Sequence, residues 1–173
     1  MWMQHNRGEI LLTGYGRNGT VTYRRMHMKS LSMIAIVPQW EGPAPGCQVL
    51  YENGHWCHRY CGVEKYMNTL AALLGNDNRA CRKLFGGRRG TGIRFNDGSV
   101  FVQIKLSQRA PTLGYVRLDA IDQWKGGESG KCVLHLANGQ VLPTFWKLET
   151  VDRHIQMVKD RLESMDTEVM EEI

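Results

Sequence analysis

Residues 93–106 read IRFNDGSVFVQIKL, and this stretch decides the fold class. Two runs rich in β-branched and aromatic residues, 93–95 and 100–106, flank Asn96-Asp97-Gly98-Ser99, the chemistry of a tight turn between paired strands. The same signature returns downstream, where residues 132–136 (CVLHL) and 140–142 flank Asn138-Gly139. Between these two predicted hairpins, residues 115–124 supply one further strand. Toward the N-terminus, short apolar or alternating runs bounded by glycine and asparagine predict strands over 9–13, 20–28, 32–37 and 47–51. A loop is expected at 42–46 (GPAPG) and a hairpin turn at Asn53-Gly54.

Two segments follow the helical period instead. Val63, Met67, Leu70, Ala71 and Leu74 recur at three and four residues until Gly75 stops the run, and a further turn is expected over 79–84, before Gly86-Gly87. After Pro143, Thr144 is placed to cap a longer helix whose stripe is Leu148, Val151, Ile155, Val158, Leu162, Met165 and Val169. A stripe this narrow fits either packing on the sheet or pairing with a helix of a second subunit. The expectation is an α+β fold: a mostly antiparallel β-sheet or barrel-like domain with a short middle helix and a longer C-terminal helix. One domain is expected over residues 1–165, with residues 166–173 as an acidic tail that frays.

The composition narrows the class. At 173 residues, 42% hydrophobic and 23% charged, the chain can build one core and is short for two full domains. Apolar residues run throughout, which argues against disorder. The longest apolar stretch, MIAIV at 33–37, falls far below the roughly 20 residues a bilayer requires. Five irregularly spaced cysteines do not read as a disulfide framework, and the opening MWMQHNRGEILLTGYG shows no secretory pattern, so a reduced cytoplasm is expected.

Charge is unevenly distributed. Residues 1–78 carry +2, residues 79–117 carry +8, residues 118–148 are neutral and residues 149–173 carry −5, which together give the net +5. The basic segment holds Arg79, Arg82, Lys83, Arg88, Arg89, Arg94, Lys105, Arg109 and Arg117 against Asp97 alone. Seven of the nine are arginine, whose planar fork suits phosphate better than the point charge of lysine. A solvated surface is the bland alternative; phosphodiester is the counter-charge this cluster favours.

Other motifs carry less. Gly14-Tyr15-Gly16-Arg17-Asn18-Gly19 matches GxGxxG, but the following TVTYR reads as a strand, so no helix N-terminus is on offer to a pyrophosphate. The run 86–92 (GGRRGTG) lacks the lysine and hydroxyl that close a P-loop. His55, Cys57, His58 and Cys61 put four metal-ligand types in seven residues, yet a structural zinc site joins two separated pairs; Cys47, Cys81 or Cys132 would have to complete it in space, and buried thiols are the simpler reading. No spacing implies a nucleophile with its base, so neither an enzyme nor a cofactor is expected, and His5, His27, His135 and His154 receive no role.

Read in order, several segments resemble the competence transcription factor ComK family: IAIVP at 34–38, CQVLYENG at 47–54, RACRKLFG at 79–86 and RRGTG at 88–92. FNDGSVFVQIKLSQRAPTLGYVRLDAI at 95–121 and NGQVLPTFWKLETVDRHIQM at 138–157 continue the match over most of the chain. The resemblance implies a transcriptional activator of DNA-uptake genes that binds A/T-rich boxes through the minor groove, as dimers that pair on the promoter. It carries DNA contact onto Arg79, Arg82, Lys83, Arg88 and Arg89. The charge pattern adds Arg94, and Lys105 and Arg109 are expected as backbone contacts. Two features depart from the family: MDTEVMEEI at 165–173 lacks its aromatic, proline-containing degradation tag, and residues 55–62 form a histidine- and cysteine-rich excursion.

The latter half, YVRLDAI at 115–121 and the NGQVLP hairpin before a helix, is similar to LytTR-type domains, which read the major groove. The partner expected is therefore double-stranded DNA, bound by a homodimer or tetramer away from any membrane. The rival from another class is an interaction or inhibitor protein whose basic face binds protein or RNA.

Overall fold

The computed structural model describes residues 4–5, 9–15, 21–26, 33–75 and 92–171. They belong to two compact units, Met1–Ser30 and Leu31–Ile173. The first is an antiparallel meander of β1 (Gln4–His5), β2 (Glu9–Tyr15) and β3 (Val21–Met26), with Ile10 opposite Met26 and Tyr15 opposite Val21. The glycine-rich motif thus joins two antiparallel strands, which removes the helix that a pyrophosphate site needs.

The second unit is built on a six-stranded antiparallel sheet in the order β6-β5-β4-β9-β8-β7. Its strands are β4 (Met33–Glu41), β5 (Ala44–Tyr51), β6 (Trp56–Arg59), β7 (Gly92–Arg94), β8 (Val100–Lys105) and β9 (Leu113–Arg117). Helix α1 (Val63–Leu73) covers one face; a three-stranded sheet of β10 (Ile121–Gly126), β11 (Cys132–Leu136) and β12 (Val141–Pro143), with helix α2 (Leu148–Glu171), covers the other. The fold is α+β and mostly antiparallel. Among the described residues no helix is long and apolar enough to cross a membrane.

Period-two alternation explains why one sheet can hold two cores. Along β8, Phe101 enters the cluster with Val63, Met67 and Leu70 of α1, while Val102 and Ile104 enter the cluster with Val151, Ile155 and Val158 of α2. The sheet is therefore apolar on both sides at its centre. Gly114 of β9 sits where a Cβ would run into the Ile36 carbonyl oxygen and Leu106, so the central strands approach closely only because this residue has no side chain. The two predicted hairpins form, and Gly98 and Gly139 both take φ 86°, the left-handed conformation their turns require.

Four details differ from the sequence expectation. The proline-rich 42–46 segment narrows to a turn at Gly42-Pro43, with Ala44, Pro45 and Gly46 in β5. Pro45 is tolerated because β6 pairs with β5 only from Cys47 to Leu50, so the missing N–H lies beyond that ladder. The strand expected over 115–124 breaks at a 3-10 turn, Leu118–Ala120, that carries the chain from the larger sheet into the smaller one. Thr144 does not cap α2: its hydroxyl, buried, donates to the Cys132 carbonyl at 2.8 Å, and the helix begins at Leu148. Helix α2 also continues to Glu171, so residues 166–171 of the tail are helical.

The stripe of α2 packs within the chain. Val151, Ile155 and Val158 are fully buried, and Leu162 is half-buried against the same cluster. The helix expected over 79–84 lies outside the described residues.

Candidate nucleic-acid interface

The nine cations counted between residues 79 and 117 meet different fates. Arg79, Arg82, Lys83, Arg88 and Arg89 lie in the stretch 76–91, outside the described residues, which joins α1 to β7. Arg94, Lys105, Arg109 and Arg117 can be placed.

Lys105 alternates with Ile104 and stands opposite Leu113, which puts it on the α1 face of the sheet. Arg109 is exposed in the β8–β9 connection, a loop pinned at its base by the Leu106 and Ser107 amides, which both donate to the Thr112 carbonyl at 2.9 and 3.1 Å. The Ser107 hydroxyl donates to the Arg109 carbonyl at 3.1 Å. The Arg109 guanidinium lies 4.0 Å from the centroid of the Trp40 indole. Trp40 shares strand parity with Ile36, which belongs to the α1 core, so the stacked pair and Lys105 face the same way. Among the described residues no carboxylate pairs with Lys105 or Arg109.

Arg94 lies on the opposite face. It alternates with Ile93 of the α1 core, and its Nη1 lies 3.9 Å from Asp166 of α2. An ion pair this exposed contributes only about 0–1 kcal/mol, so it competes weakly with any other anion.

Arg117 is withdrawn from the surface altogether. Only 7% exposed, it donates from Nε to Asp119, from Nη2 to Glu52 and from Nη1 to the Met33 carbonyl. Burial opposes its charge, but the bonds to Glu52 and Asp119 outweigh that and raise its pKa above the usual arginine value. A cavity of about 250 Å³ lies here, lined by Ile34, Glu52, Arg117, Asp119 and Asn138 among others. The Arg117 guanidinium that lines it is already committed to two carboxylates, so this cavity does not suit a phosphate.

Two further features escaped the sequence reading. Trp40 lies beyond the strand expected over 32–37, in the part of β4 that runs on to Glu41. Arg59 of β6 donates to the Tyr51 hydroxyl at 3.3 Å and lies 5.9 Å from the Tyr66 ring centroid, adding a second arginine held by aromatic rings on the α1 side. Both follow from strand parity, which could have been counted only once the register was known.

The histidine- and cysteine-rich run falls on β6 and the bend after it. Cys57 and His58 are neighbours in an extended strand, opposite Val49 and Gln48, so they project to opposite faces. His58 Nδ1 meets Gln39 Oε1 at 3.2 Å. Among the described residues no group of three or more histidine, cysteine or acidic side chains could hold a metal ion. Burial, and next the neighbouring Cys61, push the Cys47 thiol up to about 12, which makes it an inert core group.

Compared with protein-family models, with curated proteins and with solved structures, the chain matches none.

Proposed function

We propose that this protein binds duplex DNA and activates transcription of DNA-uptake genes, reading A/T-rich boxes through the minor groove as dimers or tetramers in the cytoplasm. The observation that carries the reading is the pair Lys105 and Arg109, accessible and without a carboxylate among the described residues, on the sheet face that α1 shares. The chain leaves α1 directly into the stretch bearing Arg79, Arg82, Lys83, Arg88 and Arg89. Of the four cations of this segment among the described residues, Arg94 and Arg117 face carboxylates while Lys105 and Arg109 do not. The ComK-like order of segments supplies the choice of DNA over other polyanions.

Phosphate contacts fix such a protein on the duplex, and arginines entering a narrow A/T minor groove add the preference for sequence. Catalysis has no part in this reading. Selection of bound fragments from a random duplex library tests it. Enrichment of A/T-rich tracts is expected; a G/C-containing major-groove consensus would favour the LytTR-like alternative, and recovery without enrichment would overturn sequence-selective DNA binding.

A further inference from the structure

Resting on the DNA-binding reading, we infer that Trp40 is a positioning residue for DNA: its indole holds the Arg109 guanidinium ready to meet a backbone phosphate of the duplex.

The geometry has three parts. The platform is set by the sheet, because Trp40 lies on β4 within its ladder to β5 and stands opposite Pro45. The indole Nε1 is buried and, among the described residues, has no hydrogen-bond partner. The loop is fixed as well, through the Thr112 carbonyl and the Ser107 hydroxyl bond to the Arg109 carbonyl. The Arg109 guanidinium carbon lies 4.0 Å from the indole centroid. The N–H donors of a guanidinium lie at the edge of its plane, so a cation held against a ring face can still donate to an oxygen ligand.

A free arginine must be ordered when it binds, and ordering a long side chain weakens affinity. Stacking does that ordering beforehand. An exposed arginine held in this way, with no carboxylate among the described residues to answer it, is arranged for an anion that arrives from outside.

The charge of Arg109 and its positioning can be separated by measuring duplex affinity against salt for the full chain and for W40A, W40F, R109A and W40A/R109A, each checked for folding by circular dichroism and thermal melting. R109A should lose about tenfold in affinity and reduce the steepness of the salt dependence by about one phosphate contact. W40A should lose about three- to tenfold with the salt dependence unchanged, because the cation is still present but no longer ordered. W40F, which keeps an aromatic face, should recover most of that loss. The double variant should be no weaker than R109A.

If W40A is silent, or if its loss adds in full to that of R109A, Trp40 does not act through Arg109 and the inference is overturned while DNA binding stands. Should W40A fail to fold, W40L, which keeps bulk without an aromatic face, takes its place: a loss of affinity with unchanged salt dependence that is absent in the R109A background supports the inference, and a silent W40L or a loss that adds in full to that of R109A overturns it. Failure of the unmodified chain to bind any duplex overturns both readings.

Discussion

Arg109 precedes β9 and Arg117 is its last residue, and their surroundings give them opposite work. Arg109 lies over an indole with its donors open; Arg117 is enclosed by Glu52, Asp119 and the Met33 carbonyl. Replacing Arg117 by alanine should therefore cost about 2–3 kcal/mol of stability, since it removes hydrogen bonds between charged groups and strands a carbonyl. Denaturant titration measures that loss, and the salt dependence of DNA binding should not move with it. His154 gives a second prediction. Burial, and next the charge of Arg153, lower its pKa, against a hydrogen bond with the Gln103 backbone. The folded chain thus holds this ring neutral while the unfolded chain takes up a proton near pH 6.5. The stability it contributes is fully present above about pH 6.5 and is lost as pH falls from there through the folded value. The melting temperature should drop between pH 7.5 and 5.5, and His154→Gln should flatten part of that drop. Neither fate was legible in a charge count, because burial of one arginine beside an aspartate two residues away is decided by the turn at 118–120 and not by composition.

At the scale of elements, what the sequence made legible is what local chemistry controls. The Asn96–Ser99 and Asn138-Gly139 hairpins, the stop of α1 near Gly75 and the α2 stripe follow from turn residues and periodicity alone. What was not legible depends on partners distant in sequence. Pro45 joins a strand because β6 ends before reaching it, and Thr144 abandons a cap because the Cys132 carbonyl lies 2.8 Å away. The break of the 115–124 run depends on there being two sheets to join. The same reasoning separates the two uses of α2. Ile155 is fully buried between α2 and the sheets of its own chain. Ile155→Ala should cost about 2–5 kcal/mol in chemical denaturation and leave the mass in sedimentation unchanged. A shift in oligomeric state would mean that the stripe serves a second subunit.

For the whole molecule, the question is how a fold with a core on each sheet face presents cations to one partner. Arg94 goes to the α2 face and Arg117 to the interior, while Lys105 and Arg109 share the α1 face. The sequence therefore showed the charge but overstated how many of its carriers could act together. The contacts that the family resemblance implies at Arg79, Arg82, Lys83, Arg88 and Arg89 fall outside the described residues. Neutralisation of DNA phosphates by arginine and lysine, as proposed, has a direct thermodynamic signature in counterion release. Duplex affinity measured from low to high salt is the decisive observation. With about five phosphates neutralised, log K should fall against log salt with a slope near −4 to −5; an affinity that stays flat across the same range would contradict the account.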